Sequence, residues 1–556
     1  MKKEDTGGLT RRKFIAKTSK TAALALTVTA LGPLAGCGRG LETDYDLVIR
    51  GGLVYDGSAS DPVKADVAFK DGKIAAVGEV QGRAAETVAA DGLAVAPGFI
   101  DVHTHCDLTF QRSGRKRLLA RFMPSWKGNH NYLYQGVTTV VTGNCGYGYT
   151  DTDQWLNTIT SLEFGSNVFH LAPHGMIREA AFGREQPGKP DAKQMDVLKA
   201  RVAEEMDKGA VGMSAGLEYA PGLLAPTEEL VELCQVVRAK GGLFTVHMRD
   251  ETGRPLRGRQ GLLASIREVI EVSRRAEIPV EISHLKIASP HGGVTPAQVF
   301  ELLDQARAEG LPITADQYPY DAGSTFASFL LPDEFKDPSG GVKDEFRTKD
   351  GRERIKKAIE EVFTYTGPEK TMITMYPGRE ELEGKTLKEI GEATGKTPSE
   401  AYVKAVCQDD PPIAVFFVMD LNAVKALSVR DYVLTASDGW TVPKDMTVPH
   451  PRTYGCFPRK LRRFVMEDKL VSLPQAVRSM TSLPAETFGL KDRGRIRPGY
   501  VADLAVLDLS RVADRATYQK PHQYSEGVIH LFVRGVPVLK NGRVTGDRAG
   551  RGLRRA

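Results

Sequence analysis

Between residues 98 and 482 short apolar strands alternate with amphipathic helices, and this pattern leaves few folds open to the chain. Strands that are separated by helices pack as a parallel sheet with the helices on its faces. Eight strands, each followed by helical chain, predict a closed (β/α)8 barrel of the TIM type. The predicted strands are 98–105, 137–144, 168–173, 210–216, 243–248, 279–285, 312–317 and 432–438.

One of the intervening helices shows how clear the helical pattern is. Segment 227–240 carries an apolar stripe at i, i+3, i+4 and i+7, and Gly241 is typical of a helix end. Thr227 is expected to cap the first turn. The stripe consists of Leu230, Leu233, Cys234 and Val237.

Strand-rich segments flank the barrel on both sides. Residues 44–97 and 483–550 each contain a dipeptide that favours a two-residue hairpin, Asp71-Gly72 and Asn541-Gly542 respectively. We expect the two segments to form one small β-sandwich. The interval from about 325 to 431 is too long for one connection, so it is interpreted as an insertion at the barrel mouth. The predicted fold class is therefore α/β, a (β/α)8 barrel (98–482) plus a small β domain built from both ends of the chain.

The first 37 residues are excluded from the fold prediction, because they are typical of an export signal. Arg11-Arg12 precede an apolar stretch at about 21–34, which is followed by Leu34-Ala-Gly-Cys37. This order resembles a twin-arginine signal joined to a bacterial lipoprotein processing site, with Cys37 as the lipidated residue. The resemblance implies a lipid-anchored protein of the periplasm or cell envelope. The alternative is a frayed amphipathic helix.

Charge and composition exclude several classes of partner. Lys and Arg number 75 and Asp and Glu number 70, giving a net charge of +5 without a basic run, so nucleic acid is not an expected partner. No stretch reaches the ~18 apolar residues of a membrane span, so membrane contact is expected only through Cys37. Six cysteines are too few for a disulfide scaffold. A two-domain globular protein remains, interpreted as an enzyme, and its oligomeric state is left open.

Polar side chains end several of the predicted strands, where barrel enzymes place their chemistry. His103 and His105 are two residues apart at the end of the first strand, so both imidazoles face the same way. Taken singly, a strand-end His is most often structural, a lone Cys is a small buried hydrophobe, and Ser-Asp-Gly is a turn. Five strands that end in such residues are best explained by a convergent Zn²⁺ centre. The candidate ligands are His103, His105, Cys145, His247, His284 and Asp438.

The remaining histidines lack such positions, and we expect them to be structural. His174 is left without an assigned role. The others are His130, His170, His291, His450, His522 and His530.

Longer motifs carry a resemblance over residues 44–550. The chain resembles the D-aminoacylase (N-acyl-D-amino-acid deacylase) family of the amidohydrolase superfamily. The motifs begin at Pro97 (Pro-Gly-Phe-Ile-Asp-Val-His-Thr-His), Gln135 (Gln-Gly-Val-Thr-Thr-Val-Val-Thr-Gly-Asn-Cys-Gly), Gly212 (Gly-Met-Ser-Ala-Gly-Leu-Glu-Tyr-Ala-Pro-Gly), His247 (His-Met-Arg-Asp-Glu), Tyr318 (Tyr-Pro-Tyr-Asp-Ala-Gly-Ser-Thr), Ser437 (Ser-Asp-Gly) and His450 (His-Pro-Arg-Thr-Tyr-Gly).

The resemblance implies specific roles for these residues. Cys145, His247 and His284 would form a tight zinc site, and Cys145 would also bridge to a second, weaker site with His103, His105 and Asp438. Arg452 would bind the α-carboxylate of the substrate, helped by Tyr318 and Ser324, and Tyr219 would lie against the reacting carbonyl. Asp438 would be the catalytic base that takes a proton from water and passes it to the leaving amine.

The function implied is zinc-dependent hydrolysis of N-acyl-D-amino acids to a carboxylate and a D-amino acid. One alternative is a cyclic-amide hydrolase of the hydantoinase or dihydroorotase kind. Those enzymes bridge their metals with a carboxylated lysine, and neither the third nor the fourth predicted strand contains a lysine. The other alternative is a non-catalytic lipoprotein that binds a small ligand. Such a protein would not require a complete set of metal-binding residues.

Overall fold

The computed structural model of the chain describes residues 43–111, 124–183, 186–252, 260–288, 293–337, 341–442 and 446–555. The predicted export segment 1–37, with Cys37, and also His291 lie outside these residues. Within the described ranges, no helix has the length and apolar character needed to cross a membrane.

The secondary structure follows the predicted alternation. The strands are β1 (Tyr45–Val54), β2 (Val63–Lys70), β3 (Lys73–Gly78), β4 (Ala84–Ala89), β5 (Ala94–Pro97), β6 (Phe99–Asp101), β7 (Val137–Thr142), β8 (Asn167–His170), β9 (Ala172–Pro173), β10 (Gly212–Gly216), β11 (Leu243–His247), β12 (Val280–Ile282), β13 (Ile313–Gln317), β14 (Gly323–Phe326), β15 (Thr371–Met375), β16 (Ile413–Phe416), β17 (Val433–Thr435), β18 (Leu504–Leu507), β19 (Val528–Val533), β20 (Val536–Lys540) and β21 (Arg543–Val544). The helices are Leu108–Gln111, Pro124–Lys127, His130–Leu133, Thr152–Leu162, His174–Phe182, Ala192–Asp207, Thr227–Ala239, Leu262–Ala276, Pro296–Ala308, Lys349–Thr366, Leu387–Thr394, Pro398–Val406, Leu421–Ser428, Arg452–Arg459, Leu473–Met480 and Ser482–Thr487.

The barrel forms from the eight predicted strand segments. β6, β7 and β8 are parallel neighbours, and a second parallel run follows the order β9-β10-β11-β12-β13-β17. β8 and β9 are two parts of the third barrel strand, interrupted at Leu171. The ring closes where the backbone N–H of His105 donates to the carbonyl of Gly439, 2.7 Å away. The predicted (β/α)8 barrel is therefore confirmed.

Helix Thr227–Ala239 packs as its apolar stripe predicts. Leu230, Leu233, Cys234 and Val237 are all buried in the core between strands and helices. The predicted cap is wrong, because Pro226 occupies the N-cap position. The hydroxyl of Thr227 instead donates to Glu268 Oε1 at 2.9 Å, where a neighbouring helix offers a charged acceptor.

Residues near 550 complete the barrel wall beside β8. The backbone N–H of Val168 donates to the carbonyl of Arg551 at 2.9 Å, and the N–H of Leu553 donates to the carbonyl of Val168 at 2.8 Å. Within this wall, helix Ser482–Thr487 and Leu490 pack against barrel residues such as Val141. The β strands of the C-terminal part therefore begin later than the predicted boundary at 483, with β18.

Both ends of the chain share one sheet in the small β domain. Its order is β21-β20-β19-β18-β5-β1-β2-β3, with β4 also paired to β1. β5 joins the two halves, since Val95 pairs with Val54 on one side and Val506 on the other. The two hairpin turns have positive φ at both central positions, as predicted: 51° and 72° at Asp71 and Gly72, and 51° and 72° at Asn541 and Gly542.

The predicted insertion leaves the barrel after β13 and returns before β17. It contains the antiparallel sheet β14-β16-β15 and the helices Lys349–Thr366, Leu387–Thr394 and Pro398–Val406. These elements bury a core of their own, which includes Ile355, Tyr402 and Phe416. Helix Leu421–Ser428 packs on the barrel through Leu427. The insertion therefore lies over the carboxyl ends of the barrel strands, where it can form one wall of a site.

Candidate metal centre and active site

Cys145 lies at the centre of the predicted ligands. Its Sγ is 3.3 Å from His103 Nε2, 3.6 Å from His284 Nε2 and 3.8 Å from His247 Nδ1. Two ligand atoms of one tetrahedral zinc lie roughly 3.3 to 3.8 Å apart, given Zn–N of about 2.1 Å and Zn–S of about 2.3 Å. The two imidazole atoms His247 Nδ1 and His284 Nε2 are closer, at 2.8 Å. This thiolate and imidazole set suits zinc.

A second group of ligands adjoins the first through His103, which contacts Cys145. Asp438 Oδ1 is 3.2 Å from His105 Nε2 and 3.7 Å from His103 Nε2. His103, His105 and Asp438 can hold a cation together, as can His103, Cys145 and His284. The structure thus brings all six predicted ligands together in two adjoining clusters, with Cys145 and His103 between them.

The turn after β7 explains how Cys145 reaches the barrel axis. Gly143 and Gly146 flank it with φ of 82° and 73°, a conformation that glycine adopts without a Cβ clash. The side-chain amide of Asn144 donates to the carbonyls of Val102 and Thr104, 3.2 and 3.3 Å away. The amide therefore ties this turn to the strand end that carries the first two histidines.

Three of the candidate ligands have unusual backbone geometry. Cys145, His284 and Asp438 have φ of 54°, 38° and 49°, in the left-handed region that residues with a Cβ seldom adopt. Each such position costs about 1–3 kcal/mol and persists where the surrounding structure enforces it. Such positions are concentrated in functional sites, which agrees with the convergence of side chains here.

Two carboxylates contact the imidazoles of His247 and His284 on the ring nitrogens that face away from Cys145. His247 Nε2, the ring nitrogen that points away from Cys145, lies 3.0 Å from Glu218 Oε2. His284 Nδ1 lies 3.0 Å from Glu251 Oε1, and Lys286 Nζ lies 2.5 Å from the other oxygen of that carboxylate. Nδ1 of His284 also lies 2.8 Å from Lys286 Nζ, so the Glu251 carboxylate and the Lys286 ammonium both adjoin this edge of the ring. Such outer carboxylates fix the tautomer and raise the basicity of a metal-binding histidine.

The second cluster is supported on one histidine only. His103 Nδ1 lies 3.0 Å from Asp316 Oδ2, and both side chains are completely buried. Nδ1 of His105 is buried and has no hydrogen-bond partner among the residues that the structure describes. The His105 side chain is also the more exposed of the two, at 19%.

Charges in the centre keep Cys145 as a thiolate. Burial alone would raise the pKa of the thiol, but the charge of His103 and hydrogen bonds from the surrounding histidines lower it well below its usual value. The thiolate is the form that binds a metal.

Arg452 and Tyr318 lie beside the second cluster. Arg452 Nη2 is 2.8 Å from Asp438 Oδ2, and its guanidinium carbon lies 4.5 Å from the centre of the Tyr318 ring. Nε and Nη1 of Arg452 and the hydroxyl of Tyr318 are buried, and within the described part of the chain they meet no hydrogen-bond partner. A buried donor without an acceptor is costly, so this corner suits an anionic ligand.

Tyr219 and Ser324, two of the predicted substrate-binding residues, line the same cavity. The Tyr219 ring is 4.6 Å from the ring of His247, and its hydroxyl is 2.8 Å from Thr325 Oγ1. Burial, and then the charge of Glu218, raise the pKa of Tyr219 well above its usual value. The hydroxyl therefore stays protonated and can donate a hydrogen bond.

Comparison with known proteins gives a consistent result. Residues 386–539 match the model of the "Amidohydrolase family". The N-acyl-D-glutamate deacylase of Alcaligenes xylosoxydans xylosoxydans is 34% identical, over 93% of this chain and 98% of that protein. The D-aminoacylase of the same organism is 31% identical, over 92% and 98% respectively. The chain belongs to the D-aminoacylase family of amidohydrolases.

A solved structure of a D-aminoacylase-family member supports the same fold. It is the N-acyl-D-glutamate deacylase of Bordetella bronchiseptica, in complex with zinc and a phosphonate inhibitor that mimics the tetrahedral intermediate. Its TM-score is 0.76 at 30% identity, and the match covers 92% of this chain and 100% of that one.

Other described histidines of this D-aminoacylase-family chain lie outside the two clusters. His174 Nε2 contacts Glu229 Oε1 at 2.8 Å in a buried pair, and His170 Nδ1 contacts the Thr142 hydroxyl. His450 has a structural role next to the site. Its Nδ1 accepts from the backbone N–H of Arg452 at 3.0 Å, so it positions the helix that carries the guanidinium.

Four charged residues of the site were missed from the sequence: Glu218, Glu251, Lys286 and Asp316. Asp316 lies inside β13, where a carboxylate in a buried strand was a usable signal. Lys286 follows His284 by two residues, the same spacing as the first pair of histidines. Glu218 and Glu251 lie in the loops after β10 and β11. Loops have no sequence period, so the sequence does not indicate where these two side chains point.

Proposed function

We propose that the protein hydrolyses the amide bond of N-acyl-D-amino acids in a metal-dependent reaction, releasing a carboxylate and a D-amino acid. The observation that carries the proposal is the buried, unpartnered edge of Arg452 with the Tyr318 hydroxyl, next to the metal ligands. A planar guanidinium in this position suits the α-carboxylate of the substrate. Family membership supports the acyl group and the D configuration.

Cys145, His247 and His284 would hold the first zinc, and His103, His105, Cys145 and Asp438 the second. When bound, zinc acts as a Lewis acid and lowers the pKa of a bound water molecule to about 7.

Asp438 would act as the base. Burial raises the pKa of its carboxyl, but the charges of Arg452 and His103 outweigh burial and leave the pKa well below its usual value. An ionised Asp438 can take a proton from water and return it to the leaving amine. The neutral Tyr219 hydroxyl can donate to the oxygen of the carbonyl as negative charge develops there.

The bridging role proposed for Cys145 also bears on the cyclic-amide alternative. β8, β9 and β10 carry no lysine that could be carboxylated, whereas Cys145 contacts His284 of the first cluster and His103 of the second. A linear amide is therefore the favoured substrate.

A substrate panel tests the proposal. The zinc-loaded protein is assayed on N-acetyl-D-amino acids, their L enantiomers and hydantoin, with and without chelator. We expect chelator-sensitive hydrolysis of the D compounds. Faster hydrolysis of hydantoin would favour the cyclic-amide alternative, and hydrolysis of none would favour a binding protein.

Replacing Arg452 by Lys tests the carboxylate contact. An ammonium cannot make the planar two-point contact, so the activity on N-acetyl-D-amino acids should fall strongly, and much less on an amide without the α-carboxylate. Arg459→Lys is the matched control. Arg459 lies on the same helix and also covers a tyrosine ring, that of Tyr320 at 4.5 Å, but does not line the cavity. Equal losses on both substrates would make Arg452 structural.

We further propose that the protein is exported by a twin-arginine route and anchored by lipid at Cys37. The order of Arg11-Arg12, the apolar stretch and Leu34-Ala-Gly-Cys37 supports this proposal. Replacing both arginines by lysine should retain the protein in the cytoplasm, and Cys37→Ala should release it from the membrane fraction. An unchanged distribution in both variants would refute the proposal.

A further inference from the structure

The loop that carries Tyr219 follows β10 and folds back on itself. The backbone N–H of Leu223 donates to the carbonyl of Tyr219, 2.7 Å away, and so closes a turn. Gly222 packs on the end of β10, where a Cβ would lie 2.3 Å from the carbonyl oxygen of Gly216. These contacts make the turn compact, and its position relative to the metal ligands depends on contacts with other segments.

Arg249 contacts this turn from the neighbouring strand end. It follows His247, the last residue of β11, by two residues. Its Nη1 donates to the carbonyl of Leu223 and its Nη2 to the carbonyl of Ala225, each at 2.9 Å. Leu223 is also the residue whose N–H binds Tyr219. A single residue therefore links the guanidinium of Arg249 to the backbone of Tyr219.

Glu268 fixes the guanidinium in turn. Its carboxylate, on helix Leu262–Ala276, accepts from Arg249 Nε at 3.0 Å and from Arg249 Nη2 at 2.8 Å. Both side chains are largely shielded from water, at 23% exposure for Arg249 and 14% for Glu268. A two-point contact of this kind sets the orientation of the guanidinium plane. The turn is thus bound to a donor that a packed helix holds in place.

Glu218, which precedes Tyr219, is anchored by a different contact. The backbone N–H of Leu217 donates to the carbonyl of His247 at 2.9 Å, so Glu218 lies next to a hydrogen bond with β11 itself. The Tyr219 hydroxyl instead reaches Thr325 on β14 of the insertion. Loss of the Arg249 contacts should therefore displace Tyr219 more than Glu218.

We infer that Arg249 is a positioning residue for the reaction, which fixes the turn so that the Tyr219 hydroxyl points at the carbonyl oxygen of the substrate. This inference rests on the proposed function, in which Tyr219 donates to that oxygen as negative charge develops. A donor of this kind is worth about 10²- to 10³-fold in kcat. Because the hydrogen bond strengthens in the transition state, its misalignment lowers kcat and leaves KM nearly unchanged.

The first experiment measures Arg249→Lys in the zinc-loaded full chain, on the N-acetyl-D-amino acid that the unaltered protein hydrolyses fastest. Lysine keeps the charge beside Glu268, but one ammonium cannot reproduce the planar fork that binds the carboxylate and both carbonyls. We expect kcat to fall by at least about ten-fold, with KM changed by less than about three-fold and zinc content retained.

Arg238→Lys is the matched control and should keep a normal kcat. Arg238 likewise binds a backbone carbonyl and a carboxylate, both of Glu277, and it does not line the cavity. Glu268→Gln is a second test variant, because it weakens the contact that orients the guanidinium without removing Arg249. It should give a smaller loss of the same kind. Circular dichroism establishes that each variant is folded.

A double variant separates positioning from general destabilisation. Tyr219→Phe already lacks the donor, so adding Arg249→Lys should lower kcat further by less than about three-fold. Losses that multiply in the double variant, zinc loss from folded Arg249→Lys, or normal kcat in both Arg249→Lys and Glu268→Gln overturn the inference and leave the proposed function intact. An unaltered protein that hydrolyses no N-acetyl-D-amino acid overturns the proposed function, and the inference with it.

Discussion

On the side of Cys145 that faces His247 and His284, both imidazoles have a carboxylate behind them, Glu218 and Glu251 respectively. On the side that faces His103 and His105, His103 alone has such a support among the residues that the structure describes. The fourth member of that side, Asp438, is shared with Arg452. Ligands that are already oriented lose less entropy when a metal binds. The comparison therefore predicts tight zinc binding on the side of His247 and His284 and weaker binding on the side of His103 and His105. The difference comes from the orientation of the ligands and not from the number of ligands on each side.

The largest effect is expected at the residue common to both sides. Cys145→Ala should remove bound zinc and lower activity by roughly a thousand-fold or more, since Lewis-acid catalysis is worth several kcal/mol. Elemental analysis and turnover provide the measurement. Cys234→Ala, on the buried face of helix Thr227–Ala239, is the control and should retain both zinc and activity. Full zinc in the Cys145 variant would contradict the bridging role.

A smaller loss should separate metal binding from proton transfer. Asp438→Asn keeps the shape of the side chain but cannot accept a proton, so turnover should fall by a factor on the order of 10² to 10⁴. The zinc held by Cys145, His247 and His284 should remain, because Asp438 belongs to the other side. Near-normal turnover would direct the search for the base to another carboxylate.

The support behind the first side can be weakened directly. Glu251→Gln keeps a polar group next to His284 but removes the charge, so the affinity for the tight zinc should fall by about 10- to 100-fold in a chelator competition. The matched control is Glu229→Gln, which alters a buried carboxylate–histidine pair with His174 outside the metal centre. If the two variants lose zinc equally, the effect reflects general destabilisation and the comparison fails.

The least disruptive change is expected at the unsupported histidine. His105→Asn should abolish the weaker zinc and change the affinity for the tight zinc by less than about ten-fold. Mild chelation of the unaltered protein should likewise release the two zincs in separate steps. A single step, or loss of both zincs in the variant, would show that the two sides bind as one unit.

The regular parts of the molecule were accessible from the sequence. Strand ends at His103, Cys145, His247, His284 and Asp438 could be aligned because the period of strand and helix fixes where the carboxyl end of each strand lies. The turn dipeptides also predicted both hairpins, because a two-residue turn requires positive φ at two neighbouring residues. These features depend on neighbours in the chain.

The missed residues depend on contacts between distant segments. Glu251 follows β11 in an irregular loop, and only the folded structure shows that it turns back to His284 and Lys286. Thr227 was expected to cap its own helix, but the hydroxyl contacts Glu268 of the next one. The C-terminal part of the small β domain was predicted to begin at 483, but its first strand, β18, begins at Leu504, because Leu483 and Leu490 pack against barrel residues such as Val141. Sequence periodicity does not indicate contacts between segments that are far apart in the chain.

The hydrogen bonds of Val168 with Arg551 and Leu553 have a consequence for biosynthesis. The wall of the barrel beside β8 cannot be completed during translation of the barrel itself, because its last partners are synthesised several hundred residues later. Until then β8 has an unpaired edge, which is a site for wrong pairing with another chain. Removing residues 551–553 should therefore impair folding, even though they lie far from the predicted zinc ligands in sequence.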